Sequence, residues 1–201
     1  MLAVVTPLRS PVARTSKRSA TFRNLATLVF IVVAIAKVPG NGTAESYDGY
    51  LESLYRDTVP IMQPQELATF LENQDAPLVL DIRTPAERSV SSIPGSRFIR
   101  FESFDLDDVE GVARDRTVVL YCAVGFRSER VGEQLLAAGF TDVFNLYGGI
   151  IEWHNRGYRL QPGPAATPDD AGAAPPVHGY RPRWGRWVER GRVIYEPNPE
   201  E

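Results

Sequence analysis

Residues 117–121 (TVVLY) form the continuous apolar, β-branched run expected of a buried strand. The chain passes from that run straight into Cys122, its only cysteine. Six residues, Cys122-Ala123-Val124-Gly125-Phe126-Arg127, then turn the chain. Residues 128–138 (SERVGEQLLAA) follow with Val131, Leu135 and Leu136 at helical spacing, and Gly139 ends the helix. A strand, a tight glycine-bearing turn and a helix in direct succession leave few architectures open. They call for an open sheet with helices packed on it and the cysteine at the carboxyl edge of the strands, where ligand sites of such sheets lie.

The neighbouring segments fit that frame. Residues 64–73 (PQELATFLEN) read as a helix, with Pro64 in the first turn and Leu67, Phe70 and Leu71 on one face. Residues 78–82 (LVLDI) read as a second buried strand, and Thr84-Pro85-Ala86-Glu87 as a helix start closed by a capping box. Ile93-Pro94-Gly95 marks a turn, residues 97–101 a further strand, residues 142–146 the next, and residues 149–155 a short last helix. Strands alternating with helices at this spacing define an α/β domain, over residues 60–160, with a largely parallel central sheet flanked by helices. Residues 45–59 read as a lead-in and the Pro/Ala/Gly-rich residues 161–177 as a linker. In the tail, residues 178–201, Trp187-Val188 and Val193-Ile194-Tyr195 flank Glu189-Arg190-Gly191-Arg192, the pattern of a small hairpin. An isolated hairpin is marginal in water, so this one is expected to pack on the domain or on a protein partner.

A lone cysteine forms no internal disulfide, so its surroundings must say what it is for. Gly125 permits the sharp turn after the strand. The amides of that turn, the N-terminus of the helix that follows and the permanent charge of Arg127 together make an anion cradle whose first residue is a thiol. Cys122 is the expected nucleophile, and Ala123, Val124, Gly125, Phe126, Arg127 and Ser128 the expected binding loop. Such a cradle favours thiolate without a dedicated base, and it suits a bound anion or a negatively charged sulfur.

Four pieces in this order resemble a single-domain rhodanese. They are Asp81-x-Arg83 after a strand, Ile93-Pro94-Gly95, Tyr121-Cys122-x-x-Gly125-x-Arg127-Ser128, and Gly148-Gly149 with Trp153 four residues later. The resemblance covers about half the chain. It implies the rhodanese fold and a double displacement: a donor leaves its outer sulfur on Cys122 as a persulfide, and a thiol or cyanide removes it. Phosphatases with a related loop place the arginine six positions after the cysteine. Here the interval is five, a smaller cradle that favours sulfur over phosphate. Ser92 stands where many members have His, and Ala123 and Val124 replace polar or cationic residues. With Val124 and Phe126 expected near the mouth, polysulfide or a protein persulfide joins thiosulfate as a candidate donor. A non-catalytic binding or redox-sensing module on the same fold is the alternative.

Asp81 and Arg83 are expected to tie loops at the sheet edge together rather than to touch substrate. His154 and His178, the only histidines, lack metal-ligand spacing, so no metal and no cofactor are expected. The net charge of −3 conceals an asymmetry. Arg9, Arg14, Lys17, Arg18, Arg23 and Lys37 precede the first acidic residue, Glu45; without these six, 16 basic residues face 25 acidic ones, a net of −9. An acidic body argues against nucleic acid as partner, despite the Arg/Trp-rich tail. The basic start, the apolar residues 25–36 and the small Gly42 and Ala44 read as an export signal over residues 1–44, which places the mature protein in an extracytoplasmic compartment such as the periplasm. A membrane tether through residues 25–38 is the alternative; the apolar run is 12 residues, against about 20 for a spanning helix.

Overall fold

The computed structural model describes residues 46–73, 76–167 and 174–195. The expected signal or tether, residues 1–44, lies outside the described residues. Among those described, no helix is long and apolar enough to cross a membrane.

The elements in chain order are α1 (Tyr47–Leu54), β1 (Ile61–Met62), α2 (Pro64–Leu71), β2 (Leu78–Asp81), α3 (Pro85–Val90), β3 (Ser91–Ser92), β4 (Arg97–Phe98), β5 (Val118–Tyr121), α4 (Phe126–Ala137), β6 (Val143–Leu146), α5 (Gly149–Asn155), β7 (Gln161–Pro162), β8 (Val177–His178), α6 (Pro182–Gly185) and β9 (Val193–Ile194). The central sheet has five strands in the order β1-β6-β5-β2-β4. All its pairings are parallel, with Asp81 beside Tyr121 at the carboxyl edge. The α/β fold read from the sequence is the one observed. The capping box is also present: Glu87 N donates to Thr84 Oγ1 at 3.2 Å and Thr84 N donates to the Glu87 carboxylate at 3.0 Å.

Alternation along the strands divides the core in two. Leu80, Ile82, Val118 and Leu120 pack with Val131 and Leu135 of α4. Val79, Val119 and Tyr121 point the other way and pack with Leu67 of α2 and Ile150, Ile151 and Trp153 around α5.

Several boundaries differ from the sequence reading. Helix α4 begins at Phe126, because Gly125, at φ 95°, already serves as its N-cap. Arg127 and Ser128 therefore lie in the first helical turn rather than in the loop. The lead-in is not irregular: Ser46 caps α1, and Leu51 is buried in the second core. The linker is partly laid on the domain. Gln161 and Pro162 pair antiparallel with Ser92 and Ser91, and Ser91 Oγ donates to the Pro176 carbonyl at 2.7 Å.

The tail is not a hairpin. Val177 and His178 pair in parallel with Val193 and Ile194, and α6 crosses between them. Pro182 at the start of α6 pre-sets a helical turn. That turn draws Trp187 and Val188 into bonds to Trp184 O and Gly185 O, so they form no strand.

Candidate active site

Strand β5 delivers Cys122 to the carboxyl edge of the sheet, where it is fully buried. The carbonyls of the loop are all engaged, Gly125 O also by the first bond of α4 from Glu129 N at 3.2 Å. Ile150 N donates to Cys122 O at 2.9 Å and Ile151 N to Ala123 O at 3.2 Å. Tyr55 Oη donates to Val124 O at 2.7 Å, and Asn145 Nδ2 to Gly125 O at 3.0 Å. In a planar trans peptide the N–H points opposite the C=O. With four successive carbonyls held outward, the amides of residues 123–126 face inward. One of them is seen doing so, as Gly125 N donates to Cys122 Sγ at 3.2 Å.

Glycine is required at two points of this arrangement. At Gly125 (φ 95°) a Cβ would collide with the Tyr55 hydroxyl, and at Gly149 (φ 56°) it would enter the Cys122 carbonyl.

Arg127 lies beside the thiol and is 4 % exposed. Its Nη2 donates to Glu87 Oε1 at 2.7 Å. Burial works against its charge, but the Glu87 carboxylate and the neighbouring Cys122 hold it firmly protonated. Ser128 does not point at the thiol; its Oγ donates to Asn145 Oδ1 at 2.7 Å, which orients the amide that grips Gly125. Ala123 and Val124 offer only backbone, because both side chains sit within the core. Val124 is therefore not at the mouth as expected: the outward pull on its carbonyl turns its side chain into the protein. Phe126 is partly buried and lies under the Arg130 guanidinium, 4.7 Å from its ring centre.

Asp81 and Arg83 form a buried seam beside the cradle. Arg83 Nε and Nη2 donate to the two Asp81 oxygens at 2.8 and 2.7 Å, and Arg83 Nη2 also reaches Ser91 O at 2.6 Å. Arg88 and the Tyr121 hydroxyl complete the shell of Asp81 at 3.1 and 2.8 Å. Burial pushes the Asp81 carboxyl up, but the Arg83 charge and these donors outweigh it and hold the carboxyl below its ordinary value.

Sequence reasoning missed Glu87 as the partner of Arg127, Asn145 and Tyr55 as clamps on the loop, and His178 and Tyr180 of the tail. Glu87 was visible only as a capping residue, and that role uses its other oxygen. Nothing local marks the rest, which arrive from distant segments.

Fold and site together define a parallel α/β protein built around a cysteine in a ring of backbone amides. Residues 63–156 match the rhodanese-like domain. The chain is 36% identical over 93 residues to a sulfurtransferase of Allochromatium vinosum, a stretch covering 46% of this chain and 86% of that protein. It is 33% identical over 92 residues to the thiosulfate sulfurtransferase GlpE of Pseudomonas fluorescens, covering 46% and 83%. Against the probable adenylyltransferase/sulfurtransferase MoeZ of Mycobacterium tuberculosis it is 36% identical over 93 residues, 45% of this chain but 23% of that protein, so the chain spans about a quarter of that relative. The chain belongs to the rhodanese-like family.

Proposed function

We propose that the protein is a sulfurtransferase that carries sulfane sulfur as a persulfide on Cys122. The observation that supports it best is the Gly125 amide donating to Sγ within a loop whose carbonyls are held away from it, with the charged Arg127 five positions after the cysteine. With thiosulfate, the Cys122 thiolate attacks the outer sulfur; the S–S bond of the donor breaks and sulfite leaves with its electron pair. An acceptor such as cyanide or a thiol then attacks the outer persulfide sulfur and restores the thiolate. The amides stabilise the negative sulfur at both stages without relocating a proton.

Intact-mass spectrometry after incubation with thiosulfate or polysulfide is expected to find one added sulfur, lost again on addition of cyanide as thiocyanate appears. Cys122→Ser gains none. A thiol that takes sulfur from neither donor overturns this reading. The complete burial of Cys122 favours a second reading, a non-catalytic binding or redox-sensing module. That module would bind anions yet turn over no acceptor. Hydrolysis of aryl phosphates would support neither, and the five-residue interval predicts none.

Export through residues 1–44 is part of the proposal. Cell fractionation checks it, with the mature chain expected outside the cytoplasm and a chain retained in the cytosol overturning it.

A further inference from the structure

The tail does more than pack on the domain. Val177, His178 and Trp184 are all buried, at 0, 1 and 5 % exposure. They bring Tyr180 over the cradle, where its ring lies 4.4 Å from the Arg127 guanidinium carbon. Tyr180 has φ 56°, a left-handed conformation that costs a bulky residue energy and persists only where its surroundings impose it. The imposing contacts are a stack on Trp184 at 4.8 Å and the bond from Trp184 Nε1 to the Tyr50 hydroxyl.

The donors around this point are unbalanced. Tyr180 N donates to His178 Nδ1 at 3.0 Å, so Nδ1 carries no proton and the ring hydrogen sits on Nε2. His178 Nε2 is buried with no hydrogen-bond partner among the described residues, and so are Nε and Nη1 of Arg127. Glu87, which sits close enough to influence the charge of both, bonds none of these three nitrogens; its oxygens accept from Arg127 Nη2 and from Thr84. Three buried N–H groups with no acceptor are costly to leave unmade. Two of the three belong to a cation, so an anion, which accepts several bonds at once and offsets the charge, suits them best.

We propose that His178 and Tyr180, from a segment outside the matched family domain, belong to the anion site at Cys122. His178 Nε2 donates to the oxyanion end of a small inorganic sulfane-sulfur donor such as thiosulfate. Tyr180 braces the Arg127 guanidinium so that Nε and Nη1 meet the same anion. The identity of the anion rests on the sulfur-transfer reading; the site itself does not.

The test uses the full chain carrying Cys122→Ser, which removes transfer and leaves binding. Thiosulfate is titrated by calorimetry. On that background His178→Ala is expected to weaken binding more than tenfold, since a hydrogen bond to a charged group is at stake. His178→Gln, which keeps a side-chain N–H, is expected to restore most of the loss. Tyr180→Ala is expected to weaken binding several-fold, and Tyr180→Phe, which keeps the ring against the guanidinium, to recover most of that loss. In the same protein the His178 Nε2 resonance, followed by nitrogen NMR, is expected to move on saturation with thiosulfate, a readout that needs no tail variant to fold. Unchanged affinity in His178→Ala, an unmoved Nε2 resonance, or no thiosulfate binding at all overturns the proposal. Failure of the sulfur-transfer reading is a separate outcome: the Cys122 protein would bind thiosulfate through His178 and gain no sulfur.

Discussion

The two faces of the central sheet are made of different materials. The face under α4 is mostly aliphatic, with Leu80, Ile82, Val118, Leu120, Val131, Leu135 and Val143 filling space against one another, and its aromatics are phenylalanines, Phe140 buried among them. The opposite face joins Val119, Leu146 and Ile150 to Tyr121, Trp153 and Trp184, and is edged by Tyr47, Tyr50 and Trp187. Trp187 stacks on Tyr47 at 5.3 Å and on Tyr50 at 5.8 Å, which joins the tail to α1. Aliphatic side chains and phenylalanine can only fill volume, whereas tyrosine and tryptophan also carry a hydroxyl or an N–H that fixes position. The first face is thus a foundation. The second is a junction at which segments flanking the family domain are attached and the cysteine is enclosed.

The largest effect expected on the junction face comes from its polar seam. Asp81→Ala strips the buried Arg83 of its bidentate partner and should cost about 3–5 kcal/mol of unfolding free energy in urea titrations. On the foundation, Leu135→Ala should cost about 2–5 kcal/mol through transfer and cavity terms. Sulfur loading per folded molecule should survive Leu135→Ala, because α4 reaches the cradle only through its first turn. A Leu135→Ala protein that is folded but cannot be loaded would break the division between the faces.

The foundation was legible in the sequence; of the junction, only the cradle was. Continuous apolar runs and apolar residues at helical spacing reveal strands β2 and β5 and the inward face of α4, because burial on both sides of a parallel strand leaves its mark on consecutive residues. The cradle was legible for the same reason: Cys122, Gly125 and Arg127 are neighbours in the chain. The clamps on it are not. Tyr55 lies 69 residues from the carbonyl it holds, and Asn145 lies 20 from its own. In residues 47–54 the apolar face (Tyr47, Tyr50, Leu51, Leu54) is at helical spacing but half of it is tyrosine, so the segment reads as polar, and residues 178–195 are anchored by single aromatic groups rather than a continuous face. That is how a helix came to be read as a lead-in and a parallel strand pair as a hairpin.

A smaller effect separates the junction from the fold as a whole. Trp187→Ala removes both stacks on α1, each worth about 0.5–1.5 kcal/mol, without hollowing the sheet core. Opening of the tail should become easier by a factor of about ten, read as faster alkylation of Cys122 by iodoacetamide at fixed pH. The urea midpoint of the domain should move much less than in Leu135→Ala. Equal shifts in midpoint, with alkylation unchanged, would mean that tail and domain open as one unit.

Mild acid should give the smallest effect and act on the junction alone. His154 holds the tail through a 2.7 Å bond between Nε2 and Arg190 O, in which the carbonyl accepts and the ring donates. Burial holds His154 below its ordinary value of 6.5; the bond to Arg190 O opposes this and the Arg190 charge reinforces it. Burial also lowers His178, with Glu87 opposing and Arg83 and Arg127 adding to the shift. Both rings are therefore favoured neutral when folded. As pH falls through 6.5 the unfolded chain takes up the protons first, so their contribution is present above that value and is lost below it. The Asp81 seam behaves differently, because its depressed carboxyl gives up its contribution only as pH falls below 3.8. Urea titrations at pH 7.5 and 5.5 should therefore find a small loss in the wild type and none in a His154→Gln, His178→Gln double variant. An equal loss in both proteins would remove the histidines as its cause and assign the acid response to the foundation.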